Sequence, residues 1–85
     1  MFKGKIALVT GSGQGIGKEI ALRLAKGGAT LIINYVGPSD GANQVVETIK
    51  ANGGEAVAYE CNVADFEAVE KMVGDVLEKY GRIDI

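Results

Sequence analysis

Three short apolar runs alternate along the chain with three longer stretches whose apolar residues recur at helical spacing. Ile6 to Thr10, Thr30 to Tyr35 and Glu55 to Cys61 read as strands, the first two with the continuous apolar character of strands buried on both faces. One helical stripe is Ile16, Ile20, Ala21, Leu24 and Ala25. A second is Ala42, Val45, Val46 and Ile49, and a third is Phe66, Val69, Met72, Val73, Val76, Leu77 and Tyr80. Gly27-Gly28, Asn52-Gly53-Gly54 and Gly81 stop these helices. Gly37-Pro38 turns the chain, Ser39 or Asp40 is available to cap the second helix, and Asp65 is placed to cap the third. Ile83-Asp84-Ile85 reads as the opening of a fourth strand. This βαβαβα order specifies an α/β fold, a parallel sheet covered by helices through right-handed crossovers.

Composition removes whole classes of function. The chain has 85 residues, room for one domain, with 13 glycines, one cysteine and no histidine. It therefore has no internal disulfide, no zinc cluster and no histidine-based triad or metal site. No apolar run approaches the ~20 residues of a membrane span, and nothing at the N-terminus reads as a signal peptide. A cytoplasmic location is expected. Residues 1–39 hold five basic side chains and one acidic, and residues 40–85 hold four basic and ten acidic. That asymmetry suits solvated helix faces, or an anion handled by the N-terminal third. It lacks the basic block with interleaved aromatics of a nucleic-acid binder.

The chemistry concentrates in Thr10-Gly11-Ser12-Gly13-Gln14-Gly15-Ile16-Gly17, between the first strand and the first helix. An α/β sheet binds ligands there, because unpaired N–H groups and the helix dipole favour phosphate. A P-loop is excluded: Ser12 stands where its first glycine belongs and Glu19 where Ser or Thr belongs. Gly-x-Gly-x-x-Gly fails in either frame. Gly-x-Gly-x-Gly matches at 11, 13 and 15, but the acids that accompany it in methyltransferases are replaced by Val9-Thr10 and Asn34-Tyr35.

Thr-Gly-x-x-x-Gly-x-Gly fits at Thr10, Gly11, Gly15 and Gly17. With Gly4 to Gly11, Asn62-Val63 and Gly81-Arg82-Ile83-Asp84-Ile85, the chain resembles the short-chain dehydrogenase/reductase family along its whole length. Its wording is most similar to the family's bacterial 3-oxoacyl-acyl carrier protein reductases. The resemblance implies a Rossmann-type three-layer αβα fold, of which residues 1–85 are the N-terminal, dinucleotide-binding half. It implies that Gly11, Ser12, Gly13, Gln14, Gly15, Ile16 and Gly17 wrap the pyrophosphate and adenosine ribose. Asn62 would bond the adenine amino group and Val63 would line the adenine pocket. The alternative reading of Asn62 is a loop residue bonding its own backbone. No acid ends the second strand to hold the ribose 2′-OH of NAD, so NADP is expected, met by neutral hydrogen bonding at Ser12, Asn34 and Tyr35. NAD stays open, because Gln14 stands where NADP-preferring relatives often carry a base.

The family's reaction is hydride transfer between NADP(H) and a carbonyl/alcohol pair, with a Tyr-x-x-x-Lys pair as the acid/base. Four positions after Tyr35, Tyr59 and Tyr80 stand Ser39, Val63 and Asp84, so residues 1–85 supply no catalytic residue and the tyrosines read as packing. By resemblance, the parent protein is a cytoplasmic homotetrameric oxidoreductase acting on a small or acyl-carrier-protein-linked substrate, with fatty acid synthesis as one role. The alternative is a dinucleotide-binding or structural fragment without activity. The fourth strand would pair with the first at the centre of the sheet. The expectation is therefore a fragment, with an open apolar edge along Ile6–Thr10 and low stability.

Overall fold

A computed structural model describes all 85 residues. Strand β1 (Ile6–Val9) leads into helix α1 (Gly15–Lys26), β2 (Thr30–Tyr35) into α2 (Asp40–Ala51), and β3 (Ala56–Glu60) into α3 (Phe66–Tyr80). The strands form one parallel sheet in the order β1-β2-β3, with Ile6 opposite Thr30 and Leu31 opposite Ala56. The expected α/β architecture is present.

The sides taken by the helices follow from this order. Two successive right-handed crossovers in the same direction put α1 and α2 on one face, and the return from β3 puts α3 on the other. The alternation of β2 serves both. Leu31 and Ile33 join Ala7, Ala21, Val45, Ile49 and Ala56 in a core under α1 and α2. Ile32 joins Ile6, Cys61, Met72 and Val76 in a second core under α3. Leu31, Ile32 and Ile33 are fully buried, as a central strand covered on both faces requires.

Asp65 caps α3 as expected, its carboxylate accepting the N–H groups of Glu67 and Ala68 at 3.1 and 3.2 Å. The cap of α2 differs. Ser39 occupies the N-cap position without a side-chain bond to the backbone; its hydroxyl accepts from the Asn43 amide instead. Asp40 is the first residue inside the helix.

Two apolar stripes are only partly buried. Ile16 and Ile20 of α1 are 81% and 46% exposed, and Phe66 of α3 is 74% exposed. Helix α1 is anchored through Ala21, Leu22, Leu24 and Ala25, which leaves its N-terminal flank in solvent. In α3, Met72 and Val76 carry the packing at the middle of the helix. No helix is long and apolar enough to cross a membrane.

The outer edge of β1 is covered where it was expected to be open. The Leu8 N–H donates to the Ile85 carbonyl at 2.9 Å, and the Asp84 N–H donates to the Ile6 carbonyl at 2.8 Å. Asp84 also accepts the Ile6 N–H at 2.9 Å and pairs with Arg82 at 2.6 Å. The Arg82 bond first, and the Ile6 N–H second, hold the Asp84 carboxyl below its ordinary value of 3.8. A carboxyl with a depressed folded pKa stabilises fully above its unfolded value and loses that contribution as pH falls through the folded one. Wild type is therefore expected to melt above Asp84→Asn at pH 7, and the gap between their thermal midpoints should close below pH 3.8. A gap that is constant from pH 7 to pH 3 would separate Asp84 from this edge.

Candidate nucleotide-binding site

Parallel strands bring their carboxyl ends to one edge of the sheet. Val9 stands opposite Ile33, and Tyr35 opposite Glu60. The loop from Thr10 to Gln14, the β2–α2 turn from Val36 to Ser39, and the segment Asn62–Asp65 therefore open side by side. This is the crevice in which open α/β sheets bind ligands.

The loop is built to present backbone donors. Gly11 and Gly15 have φ of +59° and +61°, a left-handed conformation that glycine adopts without a Cβ penalty. Gln14 is the N-cap of α1, in extended conformation, and no side chain caps the helix. No acid stands in its first turn. The N–H groups of Gly15, Ile16 and Gly17 meet no acceptor in the chain; the first paired amide is that of Lys18, on the Gln14 carbonyl. Three unpaired donors at the positive end of an uncompensated helix dipole favour an anion.

Two glycines are demanded by close approach. A Cβ on Gly17 would lie 2.5 Å from the Gly11 carbonyl oxygen and 3.0 Å from Ser12 Cα, so α1 packs against its own loop. A Cβ on Gly41 would lie 2.5 Å from the Gly13 carbonyl oxygen, so the first turn of α2 rests on the same loop. Gly41 was not among the residues expected at the site. Its one signal in the sequence is a glycine inside a helix, which costs up to about 1 kcal/mol relative to alanine and calls for a packing reason.

The structure redistributes roles among the expected residues. Gly11, Gln14, Gly15 and Ile16 are exposed at the loop, and Gly13 and Gly17 are half-buried beneath it. Ser12 is fully buried and its hydroxyl donates to the Val9 carbonyl at 2.6 Å. Asn34 is 2% exposed, with its side-chain oxygen accepting the Gly11 N–H and its amino group donating to the Cys61 carbonyl, both at 3.1 Å. Ser12 and Asn34 therefore have no free side-chain polar group for a ribose phosphate, contrary to expectation. The backbone of an apolar-flanked strand end has to be satisfied first, and these short side chains do it. Tyr35 is half-buried at the end of β2, and Val63 is exposed beside Asn62. The Asn62 side-chain oxygen accepts the Ala64 N–H at 2.9 Å, the local bond of the alternative reading. The residue is exposed, and its amino group has no partner within the chain.

The remaining chemistry is structural. The Tyr59 hydroxyl donates to the Asp75 carboxylate on α3. That bond, with burial and the carboxylate's charge, pushes the phenol up to about 12, far from the range of an acid/base at neutral pH. Cys61 is buried and unpaired. A groove of about 760 Å³ runs between the C-terminal ends of α1 and α2, past Lys26, Thr48, Asn52 and Glu55. It lies at the amino ends of the strands, the far end of the sheet from the loop.

A parallel sheet with helices on both faces and an uncapped glycine turn after its first strand defines a Rossmann-type fold. Within that class, residues 5–85 match the model of the short chain dehydrogenase family, and the chain belongs to that family. Among curated proteins it is 48% identical over 82 residues to elsinochrome reductase 1 of Elsinoe fawcettii, covering 96% of this chain and 31% of that protein. It is 44% identical to trihydroxynaphthalene reductase of Colletotrichum orbiculare, covering 96% and 29%. The chain thus spans about a third of the length of these relatives. A metagenomic short-chain oxidoreductase solved in complex with NADP superposes with a TM-score of 0.93 at 32% identity, over 99% of this chain and 38% of that one. Hydroxysteroid dehydrogenase from Escherichia coli superposes with a TM-score of 0.91 at 37% identity, over 99% and 35%.

Proposed function

We propose that residues 1–85 bind the adenosine diphosphate portion of NADP(H) for a reductase that interconverts a carbonyl and an alcohol. The observation that carries this reading is the trio of unpaired N–H groups at Gly15, Ile16 and Gly17, aimed out of an uncapped helix end. When bound, the nicotinamide supplies the hydride. The work of this chain is to hold the pyrophosphate on those donors, and to receive the adenine between the loop and Asn62-Val63. Tyr35 ends β2 where an NAD-selective site places an acid, which favours NADP. The 2′-phosphate is then met at the β2–α2 turn by backbone groups and Tyr35 rather than by the side chains of Ser12 and Asn34.

The names of the relatives favour a hydroxylated aromatic ketone as substrate of the whole protein. The acyl-carrier-protein thioester suggested by the sequence wording has no counterpart among those names. A cytoplasmic homotetramer remains the assembly that the family resemblance implies.

Fluorescence titration with NADPH tests the binding role. Saturable binding is expected, with a loss of at least about tenfold in Gly15→Val, whose side chain enters the anion path from a left-handed position. Equal binding by Gly15→Val would overturn the reading, and tenfold preference for NADH would overturn the choice of NADP. For activity, the open reading frame that contains these residues would be expressed whole. NADPH oxidation is then followed with a trihydroxynaphthalene and with an acyl-carrier-protein thioester.

A further inference from the structure

Asn34 is the most heavily bonded side chain in the molecule. Its oxygen accepts the Gly11 N–H at 3.1 Å; its amino group donates to the Cys61 carbonyl at 3.1 Å and approaches the Tyr59 carbonyl at 3.4 Å. Met72 Sδ lies 3.7 Å away, beneath it on α3. The backbone of the same residue adds a further tie, the Ser12 N–H donating to the Asn34 carbonyl at 3.1 Å. Asn34 sits at the end of the central strand, so its side chain reaches the exit of β1 on one side and the exit of β3 on the other. Gly11 opens the phosphate loop, and Cys61 immediately precedes Asn62-Val63.

A hydrophobic residue would fill this place but leave the Gly11 N–H and the Cys61 carbonyl without partners, in a position only 2% exposed. Aspartate could accept from Gly11 but could not donate to Cys61. Only an amide serves both neighbours at once.

We infer that Asn34 is a positioning residue that sets the distance between the phosphate loop and the Asn62–Val63 segment, and so couples the pyrophosphate and adenine ends of the site without touching the cofactor. The inference rests on the nucleotide-binding reading for its consequence, but the coupling itself exists in the free chain. Both are measurable separately.

The test compares wild type, Asn34→Ala, Asn34→Asp and Tyr59→Phe by amide hydrogen exchange without ligand, then by NADPH titration. In Asn34→Ala the amides of Gly11 and Ser12 and those of Ala64 and Asp65 are expected to exchange faster together. Two buried backbone groups losing their partner corresponds to about a ten- to hundredfold weaker NADPH affinity. Asn34→Asp is expected to keep Gly11 protected and to lose protection at Ala64 and Asp65, a split that general destabilisation does not produce. Tyr59→Phe removes the tie to Asp75 on the same strand and is expected to leave both loop exchange and affinity unchanged. If Asn34→Ala does not fold, the split in Asn34→Asp decides the matter. Faster exchange confined to Gly11 and Ser12, or unchanged NADPH affinity in a folded variant, would overturn the inference. If wild type does not bind NADPH while the exchange still moves jointly, the nucleotide reading falls and the coupling stands.

Discussion

Gly17→Ala is expected to abolish measurable NADPH binding and to lower the thermal midpoint of the chain. Alanine is the better helix former by about 1 kcal/mol, so propensity alone predicts a gain. The added methyl group, however, would stand 2.5 Å from the Gly11 carbonyl oxygen and 3.0 Å from both the Gly11 carbonyl carbon and Ser12 Cα. All three are backbone atoms of the loop, so no flexible side chain can swing aside. Overpacking of this kind costs roughly 1–3 kcal/mol, which outweighs the propensity term. In a domain of this size each kcal/mol moves the midpoint by about 4–8 °C. The relief available is to push Gly11 and Ser12 away from α1. That breaks the Gly11 bond to Asn34 and tilts the free N–H groups of Gly15 to Gly17 off their common target. Unchanged binding in a folded Gly17→Ala protein would mean that the loop does not hold the anion.

Gly41→Ala is expected to behave in the same direction, and for a reason that no reading of the sequence supplied. The position lies in the first turn of α2, against the glycine loop. Its Cβ would meet the Gly13 carbonyl oxygen at 2.5 Å, and a Cβ on Gly13 would meet the Ala42 nitrogen at 3.1 Å. The two segments thus touch backbone to backbone. Alanine forces α2 outward or Gly13 inward, and Gly13 lies inside the turn proposed to hold the anion. A loss of roughly 1–2 kcal/mol in stability and about tenfold in NADPH affinity is expected, measured by thermal denaturation and fluorescence titration. A stabilised Gly41→Ala protein with unchanged affinity would show that this contact yields freely.

The glycine loop was legible because its requirement is local. A strand must turn into a helix within five residues and leave the helix end uncapped, and Gly11, Gly15 and Gly17 satisfy those demands within one short stretch. The cap at Asp65 was legible for the same reason, since the N–H groups that donate to it lie two and three residues away. The bonds of Asn34 were not legible because its partners are not local. Asn34 bonds residues 23 and 27 positions away, and a polar residue ending a strand looks the same whether it faces a ligand or a neighbouring strand. Ile16, Ile20 and Phe66 were placed in core stripes because spacing records which residues share a helix face. It does not record how far the layer beneath that face extends.

By itself the sequence determined the order of strands and helices, the parallel sheet, the family and the position of the glycine turn between β1 and α1. Each of these rests on periodicity or on the backbone freedom of neighbouring residues, quantities that a linear chain carries. Only the tertiary structure decided that the Asn34 side chain bonds the Gly11 N–H and the Cys61 carbonyl. It alone showed that Gly41 is required by the Gly13 carbonyl, and that the Asp84 side chain accepts the Ile6 N–H. Those are distances between segments far apart in the chain, and they exist only once the sheet has brought the ends of its strands together.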